Sequence, residues 1–243
     1  ELPEGIDFFA ELNAGLAIVR KLEKEGKHKE AVEYAHRMCK VTDTFAAQLG
    51  KGHRGPPPFV VCRMALEHVG ELETALAYEL RNVRWREANR TYVTYYDLGR
   101  IAWKSGKVEE SVQWFEKEIV HDPENLLAYG GLATALVKGK GEKEKAAALL
   151  RSAIEVGLRV IESYSEKQFR YVCLAPPGSR FRDDRMPVAS TTITVPSSAK
   201  EWIERKLADG YIDVTPRVRK ARIDAARKIL ELYLNRYATL VSK

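Results

Sequence analysis

Three cysteines in 243 residues, none in a paired spacing, exclude a disulfide framework and a cysteine-based metal centre. Cys39, Cys62 and Cys173 stand among apolar neighbours such as Val60, Val61, Val172 and Leu174, which predicts buried thiols in a reducing, intracellular compartment. Cytoplasm and mitochondrion fit that equally well. No apolar run approaches the ~18–20 residues of a membrane span, so no membrane insertion is expected. The chain does not open on a charged stretch followed by an apolar one, so no secretory signal is expected. The histidines (His28, His36, His53, His68 and His121) show no metal-ligand spacing and no partnership with cysteine. Carboxylate pairs such as Glu109-Glu110 and Asp183-Asp184 read as solvated charge. No catalytic residue, metal or cofactor emerges, and the expectation is a non-enzyme. Residues 50–55 match G-x-G-x-x-G, but no strand precedes them and prolines follow, so they read as a basic surface loop.

What is present is an ordinary globular balance, 45% hydrophobic and 30% charged. The stretch 92–125 organises it: two short amphipathic helices joined by a turn at Ser105-Gly106-Lys107. Tyr95, Leu98 and Gly99 lie in the first, Ser111 and Phe115 in the second, and Asp122-Pro123 marks the next helix start. This pattern resembles the tetratricopeptide repeat, a 34-residue unit that buries its apolar faces only by stacking on neighbours.

With Gly106 as ruler, further units fall into register. Gly70 stands 36 residues upstream, with Ala75 where Ser111 is and Cys62-Arg63 in place of Leu98-Gly99. Gly26 and Ala31 mark a weaker first unit, and Tyr129, Leu132, Ala133 and Ala146 a fourth with one extra residue in its turn. The resemblance implies an all-α, right-handed helical solenoid of about four pairs (12–45, 56–89, 92–125 and 126–161). Residues 162–174 are expected to form a capping helix and 175–197 an irregular loop, with 191–195 extended outside any sheet. A basic two-helix tail fills 198–243: a capping box at Ser198 opens one helix, and Thr215-Pro216 opens a long one.

The charge is unevenly spread. From residue 175 onward there are 14 Lys and Arg against 8 Asp and Glu, which accounts for the whole net charge of +6. Arg180, Arg182 and Arg185 with Arg217, Arg219, Lys220 and Arg222 are candidate nucleic-acid contacts, able to neutralise phosphates. A solvated basic face is the plainer reading of the same residues.

In the repeat family the first helix of each pair lines a concave groove. Carried over, the resemblance nominates Val60, Met64, Tyr96, Arg100, Trp103, Lys104, Leu127, Thr134 and Lys138, an apolar and aromatic surface edged with positive charge. It would take a peptide or helix of a protein partner, unless the C-terminal helix folds back and fills it. The positions that carry a carboxylate clamp in related co-chaperones hold Leu16, Arg20, Val61, Val93 and Asp97 here, or one unit later Val60, Met64, Asp97, Leu127 and Gly131. Neither set makes the cationic fork such a clamp needs. The expected role is a protein–protein interaction scaffold or adaptor, a subunit or assembly factor of a larger complex. The alternative is an RNA-contacting subunit of a ribonucleoprotein, organellar or not, acting through the basic tail.

Overall fold

The computed structural model describes residues 8–48, 57–164, 171–175, 177, 193–197 and 199–242. These form an all-α helical-repeat fold with one small sheet. Helices pair in chain order: α1 (Phe8–Lys24) with α2 (His28–Gln48), α3 (Phe59–His68) with α4 (Leu72–Ala88), and α5 (Tyr96–Lys104) with α6 (Val108–His121). They are followed by α7 (Leu126–Ala135) and α8 (Lys143–Ser163). The chain divides into two compact units. One combines residues up to 122 with 134–141; the other combines 123–133 with 142 onward.

The turn glycines explain the first unit's hairpins. Gly26, Gly70 and Gly106 have φ of 74°, 81° and 76°. Each closes its helix with the same two backbone bonds, for example Lys107 N–H to Ala102 O (2.9 Å) and Gly106 N–H to Trp103 O (3.1 Å). That left-handed geometry is open to glycine without a side-chain clash. Gly141 also has positive φ, 71°, but stands 35 residues after Gly106. The chain accommodates the extra residue as a π-helical turn, Leu136–Lys140, which follows α7 directly. Within that turn Gly139 lies against the Val108 side chain with no room for a Cβ.

Capping differs from the sequence expectation. Asp122 is the C-cap residue of α6 and α7 begins only at Leu126, so Asp122-Pro123 turns the chain rather than starting a helix. The start of α5 is instead capped from another helix. The buried Glu118 carboxylate of α6 accepts the Tyr95 N–H (2.5 Å) and the Thr94 hydroxyl (2.8 Å). A negative group there satisfies orphan donors and complements the helix dipole.

In the second unit, β1 (Tyr171–Ala175) is the middle strand of an antiparallel sheet, between β2 (Ile193–Pro196) and β3 (Ile212–Asp213). This corrects two expectations. Residues 162–174 are not a capping helix, because α8 ends at Ser163 and 171–175 is a strand. Residues 193–196 belong to a sheet, and Pro196 is tolerated because β2 is an edge strand. Pairing on both sides satisfies the backbone of β1 and buries Cys173, Leu174 and Ala175. The long helix Thr215–Val241 covers this unit. It packs along α8, where Leu230 fills the space over Gly157, and the Tyr233 hydroxyl bonds the Leu126 carbonyl beside Gly130. Its N-terminus is tied to the sheet: Val214 N–H donates to Cys173 O, and Cys173 N–H to the Thr215 hydroxyl, both 2.8 Å.

The short helix α9 (Lys200–Ala208) precedes that long helix, α10, and its N-cap residue is Ala199, with no side-chain cap. Ser198 lies outside the described residues, as does the loop 50–55. All three cysteines are free and buried. No described helix is long and apolar enough to cross a membrane.

Candidate functional site

The surface of α3 and α5 is built around charge held in place. Arg63 is buried on α3 and reaches three carboxylates. Its Nε donates to Glu79 (3.0 Å), and its two other nitrogens lie 3.3 Å from Glu67 and Asp97. Arg100 on α5 donates to Asp97 (2.7 Å) and to both oxygens of Glu67, the longer of those bonds being 2.8 Å. Lys104 adds a bond of 2.6 Å to Glu67. Three cations therefore meet three carboxylates, and pairs run directly between α3 and α5. A bidentate Arg–carboxylate pair adds geometric specificity that a point charge lacks.

Half-buried Glu67 and buried Glu79 respond in opposite directions. Burial pushes the Glu67 carboxyl up, but hydrogen bonds and charge from Arg100 and Lys104 outweigh it and hold the group at about 2. Burial wins at Glu79, which is only 1% exposed, and raises its carboxyl above the usual range despite Arg63. Arg100 is raised by its bond to Glu67. Asn82 donates to Glu79 (3.1 Å) and completes the buried set on α4.

Around this network lie the residues nominated from sequence. Val60 and Met64 on α3 and Tyr96 and Trp103 on α5 are half-buried, and the Tyr96 ring lies 5.8 Å from that of Phe115. Arg100 is half-buried and Lys104 exposed. The structure brings these six together on two helices joined by ion pairs. It does not leave the expected positive edge on α5, because Arg100 and Lys104 are compensated by Glu67 and Asp97. Thr134 (half-buried) and Lys138 (exposed) lie in the 134–141 segment of the first unit, whereas Leu127, exposed, belongs to the second.

On α10, Arg217, Lys220 and Arg222 are exposed and Arg219 is half-buried; Arg222 donates to the Tyr164 hydroxyl at 3.1 Å. Arg180, Arg182 and Arg185 lie outside the described residues. Sequence reasoning missed Arg63, Glu67, Glu79 and Asp97. The signal was present in the 36-residue register, which places Arg63 and Glu79 where the next unit has Gly99 and Phe115. Among the described residues no group of three His, Cys, Asp or Glu is placed to hold a metal.

A family model described as tetratricopeptide repeat matches residues 94–127, the third helical pair. Residues 94–127 are a tetratricopeptide repeat. The matched segment carries the turn glycine, the Leu98-Gly99 pair and the Gly99–Phe115 contact; the other pairs of this repeat protein lie outside the match. Its fold suggests a protein–protein interaction scaffold.

Two crystal structures of a Podosopora anserina protein described as a kinesin light chain with nearly identical TPR-like repeats are similar to it. The form with a glutamine-to-methionine substitution is 15% identical, with 98% of this chain and 100% of that chain covered and a TM-score of 0.46. The other is 17% identical, covering 94% and 96%, with a TM-score of 0.45. MamA RS-1, as an ArsTM double mutant, is 17% identical over 63% of this chain and 79% of its own, with a TM-score of 0.40. No curated protein matches the sequence.

Proposed function

We propose that this repeat protein is a non-enzymatic scaffold, a subunit or assembly factor of a larger complex, which holds a helix or peptide of a protein partner on the α3–α5 surface. One observation carries this reading. Val60, Met64, Tyr96 and Trp103 are left half-buried on two helices that the Glu67–Arg100–Asp97 network already fixes side by side. A surface ordered before binding loses little further entropy, and aromatic anchors supply much of the energy of such contacts. Because Arg100 is already paired, apolar side chains of the partner would supply affinity and the charges would supply register. The test compares affinity capture by the wild type and by a Tyr96→Ala, Trp103→Ala variant whose helical circular dichroism is unchanged. Loss of the same set of proteins supports the surface; retention of the full set by the folded variant sinks it.

A second reading, contact with RNA in a ribonucleoprotein, is favoured by one feature of α10. Arg217, Arg219, Lys220, Arg222, Arg227 and Lys228 all stand on its first half, none of them fully buried, where Asp224 is the acidic residue among them. Binding of this kind weakens steeply with salt. Charge reversal at Arg217 and Arg227, with partner recovery compared before and after ribonuclease treatment, separates it from the scaffold reading.

A further inference from the structure

The outer face of the first helical pair repeats a face that, in the second pair, is already covered. Tyr34 and Arg37 on α2 stand 44 residues before Tyr78 and Arg81 on α4, the same step that separates the turn glycines Gly26 and Gly70. In both pairs the guanidinium lies over the tyrosine ring, at 5.3 Å for Arg37 and 4.8 Å for Arg81. The second pair shows what the arrangement does. Tyr78 donates to one oxygen of Asp43 (2.9 Å) and Arg81 to the other (2.7 Å), and Asp43 belongs to the preceding pair, on α2. The third pair uses a variant of it: Lys117 lies over the Tyr95 ring at 4.1 Å, and Tyr95 donates to Glu87 (3.1 Å). Glu87 stands on α4, 44 residues after Asp43. Each of these pairs grips a carboxylate of the pair before it.

Tyr34 and Arg37 grip no carboxylate among the described residues. They line a cleft of about 300 Å³ between α1 and α2. Its floor is apolar, with Leu12, Gly15 and Met38 buried, and Val41 in its wall is 48% exposed. A terminal unit of a repeat array needs a polar outer face, so an apolar cleft here calls for a cover. Glu11 joins the lining from α1. Glu11 and Arg37 are both exposed and opposite in charge, yet neither forms an ion pair with any described residue.

We infer that this cleft is a self-association surface whose occupant is a second copy of this chain, with Glu11 as the carboxylate that Tyr34 and Arg37 of the other copy grip. The cleft carries both halves of the contact, an acid on α1 and its receptor on α2. A two-fold axis along the cleft lays α1 of each copy over α2 of the other. Glu11 then meets Arg37 twice, and the two apolar floors close on each other. Isologous pairing of this kind requires one self-complementary patch. The floor supplies affinity, while the charges fix orientation, because a copy docked with α1 over α1 brings like charges together. None of these residues belongs to the α3–α5 surface, which stays open in such a dimer.

The test is sedimentation velocity of the full chain over a range of concentrations, for the wild type, Glu11→Arg, Arg37→Glu and an equimolar mixture of the two variants. The wild type should form dimers. Each variant alone sets like charges at both contacts and should weaken self-association at least about tenfold. The mixture should dimerise again, since both contacts then join opposite charges. That recovery also shows both variants to be folded, which helical circular dichroism checks separately. A wild type that stays monomeric overturns the inference, whether a helix of another protein or a segment of this chain covers the cleft instead. So does a dimer that both variants leave intact, or a pair of folded, monomeric variants that do not associate when mixed.

Discussion

The second and third helical pairs solve one packing problem in two ways. Where α5 crosses α6, Gly99 faces Phe115: a Cβ on residue 99 would sit 2.7 Å from the ring, so glycine leaves the space the aromatic fills. Thirty-six residues earlier the same two places hold Arg63 and Glu79, joined by a 3.0 Å ion pair in the interior. The helices pair alike in both cases. What differs is what the contact can reach. Phe115 meets Gly99 and Tyr96 of its own hairpin, whereas Arg63 also engages Asp97 of α5 and Glu67, which Arg100 of α5 grips in turn. The apolar version seals one pair; the charged version couples a pair to its neighbour. Buried ions of this sort seldom add net stability over apolar packing, but losing one partner is expensive.

The largest effect should therefore come from Arg63→Ala. It strands Glu79, almost wholly buried, without its cation and should cost about 3–5 kcal/mol in urea unfolding. A loss below about 1 kcal/mol would mean that Glu79 takes up its proton at little cost and that the pair is not the device described. Next comes Gly99→Val, which places branched carbons against Phe115 and should cost about 1–3 kcal/mol by overpacking. If it were neutral, the third pair would have more slack than its geometry shows.

Much of this was legible in the sequence, and the reasons are local. A left-handed turn selects glycine, so Gly26, Gly70 and Gly106 announced the hairpins, and Gly141 announced an extra residue whose π-helical form could not be read. Leu98, Phe115 and Ser111 announced their burial by spacing. The apolar lane of Val60, Met64, Tyr96 and Trp103 followed from the same register. What escaped was made by distant partners. Residues 171–175 carry enough apolar side chains to pass for the end of a helix; they become a strand because residues 193–196 and 212–213 pair with them. Glu118 caps α5 from across the hairpin, and Glu67 neutralises Arg100 from another pair, so neither role shows in its own neighbourhood.

A smaller effect separates Glu67 and Glu79 by pH. Glu67, held at about 2 in the folded protein, contributes stability that is full above its unfolded value and drains away as pH falls through about 4 towards 2. Glu79 is raised by burial, so its contribution has the other sign: it is full below the unfolded value and is lost as pH rises through the folded one. Glu67→Gln should flatten the acid limb of stability against pH, whereas Glu79→Gln should lessen the decline as pH rises through the folded value of that carboxyl. Denaturant midpoints from about pH 2.5 to about pH 7, which spans the carboxylate range, check both. If the two variants gave superimposable profiles, the acids would not occupy the distinct environments seen here.

The smallest net change is expected from exchanging the contacts outright. The pair Arg63→Gly with Glu79→Phe places the third unit's solution in the second. It removes a buried ion pair, whose replacement by fitted apolar groups is often neutral or favourable, and adds a glycine to a helix at about 1 kcal/mol. The two should nearly cancel, leaving stability within about 1 kcal/mol of wild type. Glu67 and Asp97 keep Arg100 as a partner, so the α3–α5 bridge thins but persists. If the swap is neutral, the charged contact serves register between pairs rather than stability, and the variant should show faster amide exchange in α5 while keeping its melting temperature. If instead the swap costs as much as Arg63→Ala alone, the second pair depends on its ions for cohesion, and the likeness between the two hairpins ends at their backbone.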